Sequence, residues 1–222
     1  MLPVPLVRAA ALLPVLSLLA APPAPTKLRL TMATLHAAAL TAPRAATDSI
    51  DEPFFLVSIL GPHAKSGTLH LPATGHLRIH QDEALGTRPL VDLSIAPGDT
   101  VRLLISVLEG KKVRGADEAT AATASTRALL EPAASRASVL SSALAPVTVG
   151  GANWLGSATL LVTNEGGTTY WRALECVSTC KVLSGGSATA MPAATAQPVA
   201  GVVELSGSGA TYHMQIQGQQ AP

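Results

Sequence analysis

The chain has 222 residues and is poor in aromatics, with two Phe, two Tyr and two Trp, and poor in charge, at 13%. Its 15 basic and 14 acidic residues nearly cancel. A chain without net charge has no broad field to draw it to nucleic acid or to an anionic membrane. Nor are basic and aromatic residues interleaved as stacking on single-stranded bases would require. The only cysteines are Cys176 and Cys180. Their C-x3-C spacing is not the redox motif C-x-x-C, and two sulfurs alone do not make a zinc site. They read as a short structural disulfide across a turn at Val177-Ser178-Thr179, which fits an oxidising compartment. The G-x-S-x-G elbow of serine hydrolases, the H-E-x-x-H of metalloproteases and the EF-hand ligand pattern are missing. So is a regular strand–helix repeat, which argues against a parallel α/β sheet.

What is present is apolar: hydrophobic residues make up 48% of the chain, with a mean hydropathy of +0.36. Part of this lies at the N-terminus, where Arg8 precedes an apolar run from Ala9 to Ala21. A short basic start followed by such a run has the form of a signal segment. Its length and Pro14 make it a poor spanning helix. Residues 1–26 are therefore read as a signal peptide with a short Pro-rich linker, and residues 27–222 as one domain. The expected location is secreted, periplasmic or cell-surface.

Within that domain, polar and apolar residues alternate from Lys27 to Met32, as in a half-buried strand. Ala37 to Ile50 reads as a loop. Phe54 to Leu60 reads as a second strand, ended by Gly61-Pro62. Thr68–Leu71 and His76–His80 suggest a hairpin, and Leu90–Ile95 a further strand before the turn Ala96-Pro97-Gly98-Asp99. In Thr100–Glu109, Val101, Leu103, Ile105 and Val107 share one face while Leu104 and Leu108 share the other. That pattern predicts a central strand covered on both sides. Residues 115–145 are rich in Ala, Ser and Thr without a period of two. Asp117 could cap a helix and Pro132 could open one, so this insertion reads as short Ala-rich helices or as a low-complexity segment. Trp154–Thr163 and Thr168–Glu175 flank the hairpin signal Asn164-Glu165-Gly166-Gly167. Ser184–Pro198 reads as a long loop. Val199–Leu205 and Thr211–Gln217 form a last pair across Ser206-Gly207-Ser208-Gly209. The expected fold is mainly β, an antiparallel β-sandwich of about eight strands with a short Ala-rich helical insertion.

The segment Thr47-Asp48-Ser49-Ile50-Asp51-Glu52-Pro53-Phe54-Phe55-Leu56-Val57 resembles the acidic loop and following strand of C2-like β-sandwich modules in secreted bacterial proteins. Asp99-Thr100-Val101, Val107-Leu108-Glu109, Trp154-Leu155-Gly156 and Gly207-Ser208-Gly209-Ala210-Thr211-Tyr212 fall in a similar order, so the resemblance spans Lys27 to Gln217. In such modules, loops at one end bind Ca2+ and then engage phospholipid or protein. The resemblance implies Ca2+ ligation by Asp48, Asp51, Glu52 and Glu109. Lys111 and Lys112 follow Glu109, and Asn153 has no acidic neighbour, which departs from the pattern. The other reading of the acidic segment is a solvated loop that keeps a sheet edge from pairing.

Other residues point less clearly to chemistry. His76 and His80 share a strand face but stand roughly 13 Å apart, too far for one ion. Trp154 and Trp171 fit core positions, with exposed anchors for a partner as the other reading. The expected function is an exported, non-catalytic module that binds a protein or surface ligand, with Ca2+ ordering its acidic loops and membrane engagement left open. The alternative is a small secreted hydrolase whose Ser/His site is assembled from distant residues.

Overall fold

The computed structural model describes residues 24–41, 50–62, 67–73, 77–110, 148–149, 152–185, 189–193 and 196–222. Among these residues the regular elements are strands, with no helix. One sheet runs in the order β12 (Cys180–Ser184), β14 (Val199–Gly207), β15 (Ala210–Gln220) and β1 (Thr26–Ala39). The far edge of β1 carries β6 (Ala84–Leu85) and β7 (Arg88–Ile95). A second sheet runs β13 (Thr189–Ala190), β11 (Thr168–Ser178), β10 (Ala152–Glu165), β8 (Thr100–Glu109), β3 (Pro53–Leu60) and β4 (Gly67–Leu71), with β9 (Thr148–Val149) against β10. A small ladder joins β2 (Ile50–Asp51) to β5 (Ile79–His80). Every ladder is antiparallel.

Alternation along the strands gives each sheet an apolar face, and these faces share one core. Leu28, Leu30 and Met32 of β1 and Tyr212, Met214 and Ile216 of β15 lie in the same buried cluster as Leu103, Ile105 and Val107 of β8 and Leu160 and Val162 of β10. Each Leu, Ile or Met buried in this way contributes about 1.5–3 kcal/mol. The strand Thr100–Glu109 is central, between β10 and β3, and both of its faces are buried as its sequence predicts. On the other face Leu108 joins Phe54, Leu56, Ala152 and Trp154 in a second cluster. Trp154 and Trp171 are both buried.

Two of the corners at which the chain crosses between the sheets are pinned. At Ala96–Asp99, where Gly98 takes φ +82°, the corner is clasped by the buried Asn164 of the β10–β11 hairpin. Its Nδ2 donates to Ile95 O at 2.8 Å, its carbonyl accepts from Gly98 N at 2.8 Å, and its own N–H donates to Asp99 O at 3.0 Å. At the other corner β11 hands over to β12 through Thr179, at φ +46°. There Cys176 and Cys180 form the expected disulfide, with Cα atoms 5.6 Å apart.

Several boundaries differ from the sequence expectation. β1 continues to Ala39, so Ala37–Ala39 belong to a strand rather than a loop. A register shift between Met32 and Thr34 interrupts the alternation and hides the continuation. The hairpin of Thr68–Leu71 with His76–His80 is not formed. Instead β4 pairs with β3, where Leu71 stands opposite the core residue Phe55, and Ile79–His80 pairs with Ile50–Asp51. The span Ser184–Pro198 is not all loop: β13 edges the second sheet and Met191 enters the core. The Ala-rich insertion at 115–145 and the signal segment lie outside the described residues.

Gly207 sits where a Cβ would meet Trp154 O at 2.5 Å and Leu155 O at 2.7 Å, both backbone atoms, whereas a Cβ on Gly86 would meet nothing within 4 Å. Gly207→Ala should therefore cost about 1–3 kcal/mol in urea unfolding, and Gly86→Ala should fall within about 0.5 kcal/mol of the wild type. Equal effects would refute the close β10–β14 approach.

Candidate functional site: a buried acidic rim

The acidic stretch before β3 runs into a crowded corner. Asp51 closes β2 by pairing with Ile79, and two residues on Pro53 pairs with Glu109, the last residue of β8. Register alone therefore brings Asp51, Glu52 and Glu109 to one end of the second sheet. Asp51 is buried there, and a buried carboxylate is costly unless donors replace its water. They do so here: Oδ2 accepts from Thr41 N at 2.9 Å and from Tyr212 Oη at 2.5 Å, and Oδ1 accepts from Thr41 Oγ1 at 2.6 Å. Glu109 is also buried and accepts from Asn153 Nδ2 at 2.8 Å. Glu52 is half-buried; its carboxylate lies 3.8 Å from Arg78 Nε, and its carbonyl accepts from Gly110 N at 3.5 Å. Asp48 lies outside the described residues.

Tyr212 joins the first sheet to this rim. Burial above all, then its bond to Asp51 and the charges of Asp51 and Glu109, hold its phenol well above the ordinary value of 10.0. The tyrosine is thus kept as a neutral donor. Sequence reasoning singled out Asp51, Glu52 and Glu109 but missed Thr41 and Tyr212. The alternation Tyr212/Met214/Ile216 marks Tyr212 as inward-facing, yet nothing in that pattern names Asp51 as its partner.

Among the described residues, no three His, Cys, Asp or Glu side chains converge to hold a metal ion. Several other polar groups are engaged, whereas His70 Nε2, Trp154 Nε1 and Trp171 Nε1 are buried without a hydrogen-bond partner among the described residues. On the outer face of the second sheet Ser106 and Ser157 are buried and hydrogen-bonded to each other at 2.7 Å. His70 stands opposite Leu56, which in turn stands opposite Ser106, so a whole strand separates the imidazole from that serine pair. His70 Nδ1 donates to Pro72 O at 2.9 Å, and the ring stacks on Phe54. On the first sheet His36 stacks on His213, whose Nε2 lies 3.3 Å from Glu204. Ser178-Thr179-Cys180-Lys181 spells the S-x-x-K of penicillin-binding enzymes, which sequence reasoning missed. The four residues straddle the β11–β12 corner rather than one helical turn, which is the geometry that sets such a pair on one face.

Comparison of the chain with protein-family models, with curated proteins and with solved structures finds no match. Among the described residues no helix is long and apolar enough to cross a membrane.

Removing the phenol hydroxyl leaves a buried carboxylate short of a donor, so Tyr212→Phe should lose about 1–3 kcal/mol at neutral pH. The pH dependence has a definite sign. The folded state holds the Tyr212 proton more tightly than the unfolded chain does, so this stabilisation is complete below about pH 10 and is lost as pH rises past it. Wild-type stability should fall more steeply than that of Tyr212→Phe above that pH in parallel denaturant titrations. Parallel slopes would sink the buried-donor role.

Proposed function

We propose that this chain is an exported, non-catalytic β-sandwich of C2-like build, whose work is to bind a protein or surface ligand. The observation that carries the reading is the use made of the polar side chains. Asp51, Glu109, Ser106, Ser157 and His70 form hydrogen bonds that hold the fold. A serine nucleophile needs a base within hydrogen-bond reach, and the buried Ser106 and Ser157 have each other instead. Recognition then falls to the ends and edges of the sheets. A Ca2+-assisted form of the same module has its own support, since backbone register brings Asp51, Glu52 and Glu109 to the same end of the fold, although their side chains do not converge on one point. Carboxylate oxygens are what Ca2+ takes. In that form Glu52 is the ligand to test, because it is the most exposed of the three carboxylates and would exchange its Arg78 contact for the ion, whereas Asp51 is buried against Thr41 and Tyr212.

Ca2+ that binds only the folded protein must stabilise it, by about 2.7 kcal/mol at a hundredfold excess over its dissociation constant. Thermal unfolding with millimolar Ca2+ should show a higher melting temperature than with chelator, and Glu52→Gln should abolish the difference. Superimposable curves would retire the ion and leave a metal-free binding module. Covalent labelling by a serine-directed fluorophosphonate would instead overturn the non-catalytic reading and favour the hydrolase.

A further inference from the structure

An edge strand presents a row of unpaired backbone N–H and C=O groups, and proteins guard such rows with charge, proline, bulges or brevity. Most edges here are guarded. β12 carries Lys181 and a register shift between Val182 and Ser184. β7 carries Arg88, Pro89 and Asp92 with a shift of its own, and Asp92 is paired with Arg29. β6 and β13 are two residues long.

β4 has none of these devices. It reads Gly67-Thr68-Leu69-His70-Leu71, with no carboxylate, lysine, arginine or proline. Its five residues run in unbroken register with Ile59 to Phe55 of β3, and that ladder is its only one among the described residues. Leu69 is 40% exposed, one of two large apolar side chains so open among the described residues. It stands opposite Val57 of the core, so a strand added beyond β4 would continue the inner apolar face and cover Leu69.

We propose that β4 pairs antiparallel with β4 of a second copy of this chain, joining two molecules through one continuous sheet. A second copy fits because the strand is self-complementary about its middle residue. Antiparallel pairing centred on Leu69 sets it directly against Leu69 of the partner subunit, and such an apolar cross-strand pair is favourable. No charge within β4 opposes the approach, and the chain as a whole carries only +1. The contact is isologous and closes at two, while the guarded edges stop further addition. This inference rests on the edge and not on the acidic rim, so it stands or falls independently of Ca2+.

Light scattering across a concentration series of the intact protein should show the mass rising toward twice the monomer's. Leu69→Lys should hold the mass at one copy throughout with an unchanged fold by circular dichroism, since position 69 already meets water. Directly opposed residues on antiparallel strands lie within disulfide reach. Leu69→Cys should therefore form covalent dimers on oxidation, whereas Leu183→Cys should not, although Leu183 on the guarded β12 is 46% exposed. A wild type that stays monomeric overturns the proposal. So does a dimer that Leu69→Lys leaves intact, or equal crosslinking at both positions. A monomer that instead takes up an uncharged extended peptide along β4 also overturns it, in favour of a different strand donor.

Discussion

A carboxylate taken out of water must be given donors, and one end of this protein is arranged around that requirement at Asp51. Thr41 comes from just past β1, Tyr212 from near the start of β15, and Asp51 from the short β2. Meeting the requirement therefore fixes the exit of one strand and the inward face of another, and places the short ladder that leads into β3. With β3 placed, Glu109 is positioned by register, and with it Asn153 on β10. A single buried charge thus couples the two sheets at an end where apolar packing alone would leave the loops unregistered. The apolar core supplies most of the stabilisation, but apolar contacts have no direction, and these hydrogen bonds do.

How much of this is legible in the sequence varies with the range over which each feature is encoded. β8, the β10–β11 hairpin and the β14–β15 hairpin follow from alternation plus a Gly-containing turn, a signal carried within about twenty residues. β1 is cut short in that reading because a bulge after Met32 breaks the period while the strand goes on. The partner of β4 is misread because hairpin logic prefers the nearer apolar segment, and only the core position of Phe55 and Val57 decides for β3. Asp51 shows the limit most plainly. By sequence it belongs to a solvated acidic stretch, yet it is buried, and its donors lie 10 and 161 residues away. No local pattern encodes a pairing at the second of those separations. The disulfide was readable as a turn staple, but not as the hinge where the chain leaves one sheet for the other.

Both surfaces for which a binding role is proposed are carried by β3. Its first residue pairs with Glu109 at the acidic rim, and its free flank carries β4. Since β3 is short and buried along most of its length, the rim and the edge are fixed relative to each other. In a dimer joined through β4, the two rims would be held at a set separation. A partner with two matching epitopes would then meet them together, and its apparent affinity would gain from the second contact becoming intramolecular.

The first sheet has one more property, concerning the order in which it can be assembled. β1 pairs with β6 and β7 on one side and with β15 on the other, all of them later in the chain. During synthesis β1 must wait with Leu28, Leu30 and Met32 uncovered and one flank unpaired until residues 210–220 arrive, while β10 and β11 close locally. Pairings of such long range fold slowly and leave sticky intermediates. β1, made well before its partner β15, is therefore a strand in need of a chaperone, and a ribosome stalled before β15 would release a chain with an open sheet at its centre.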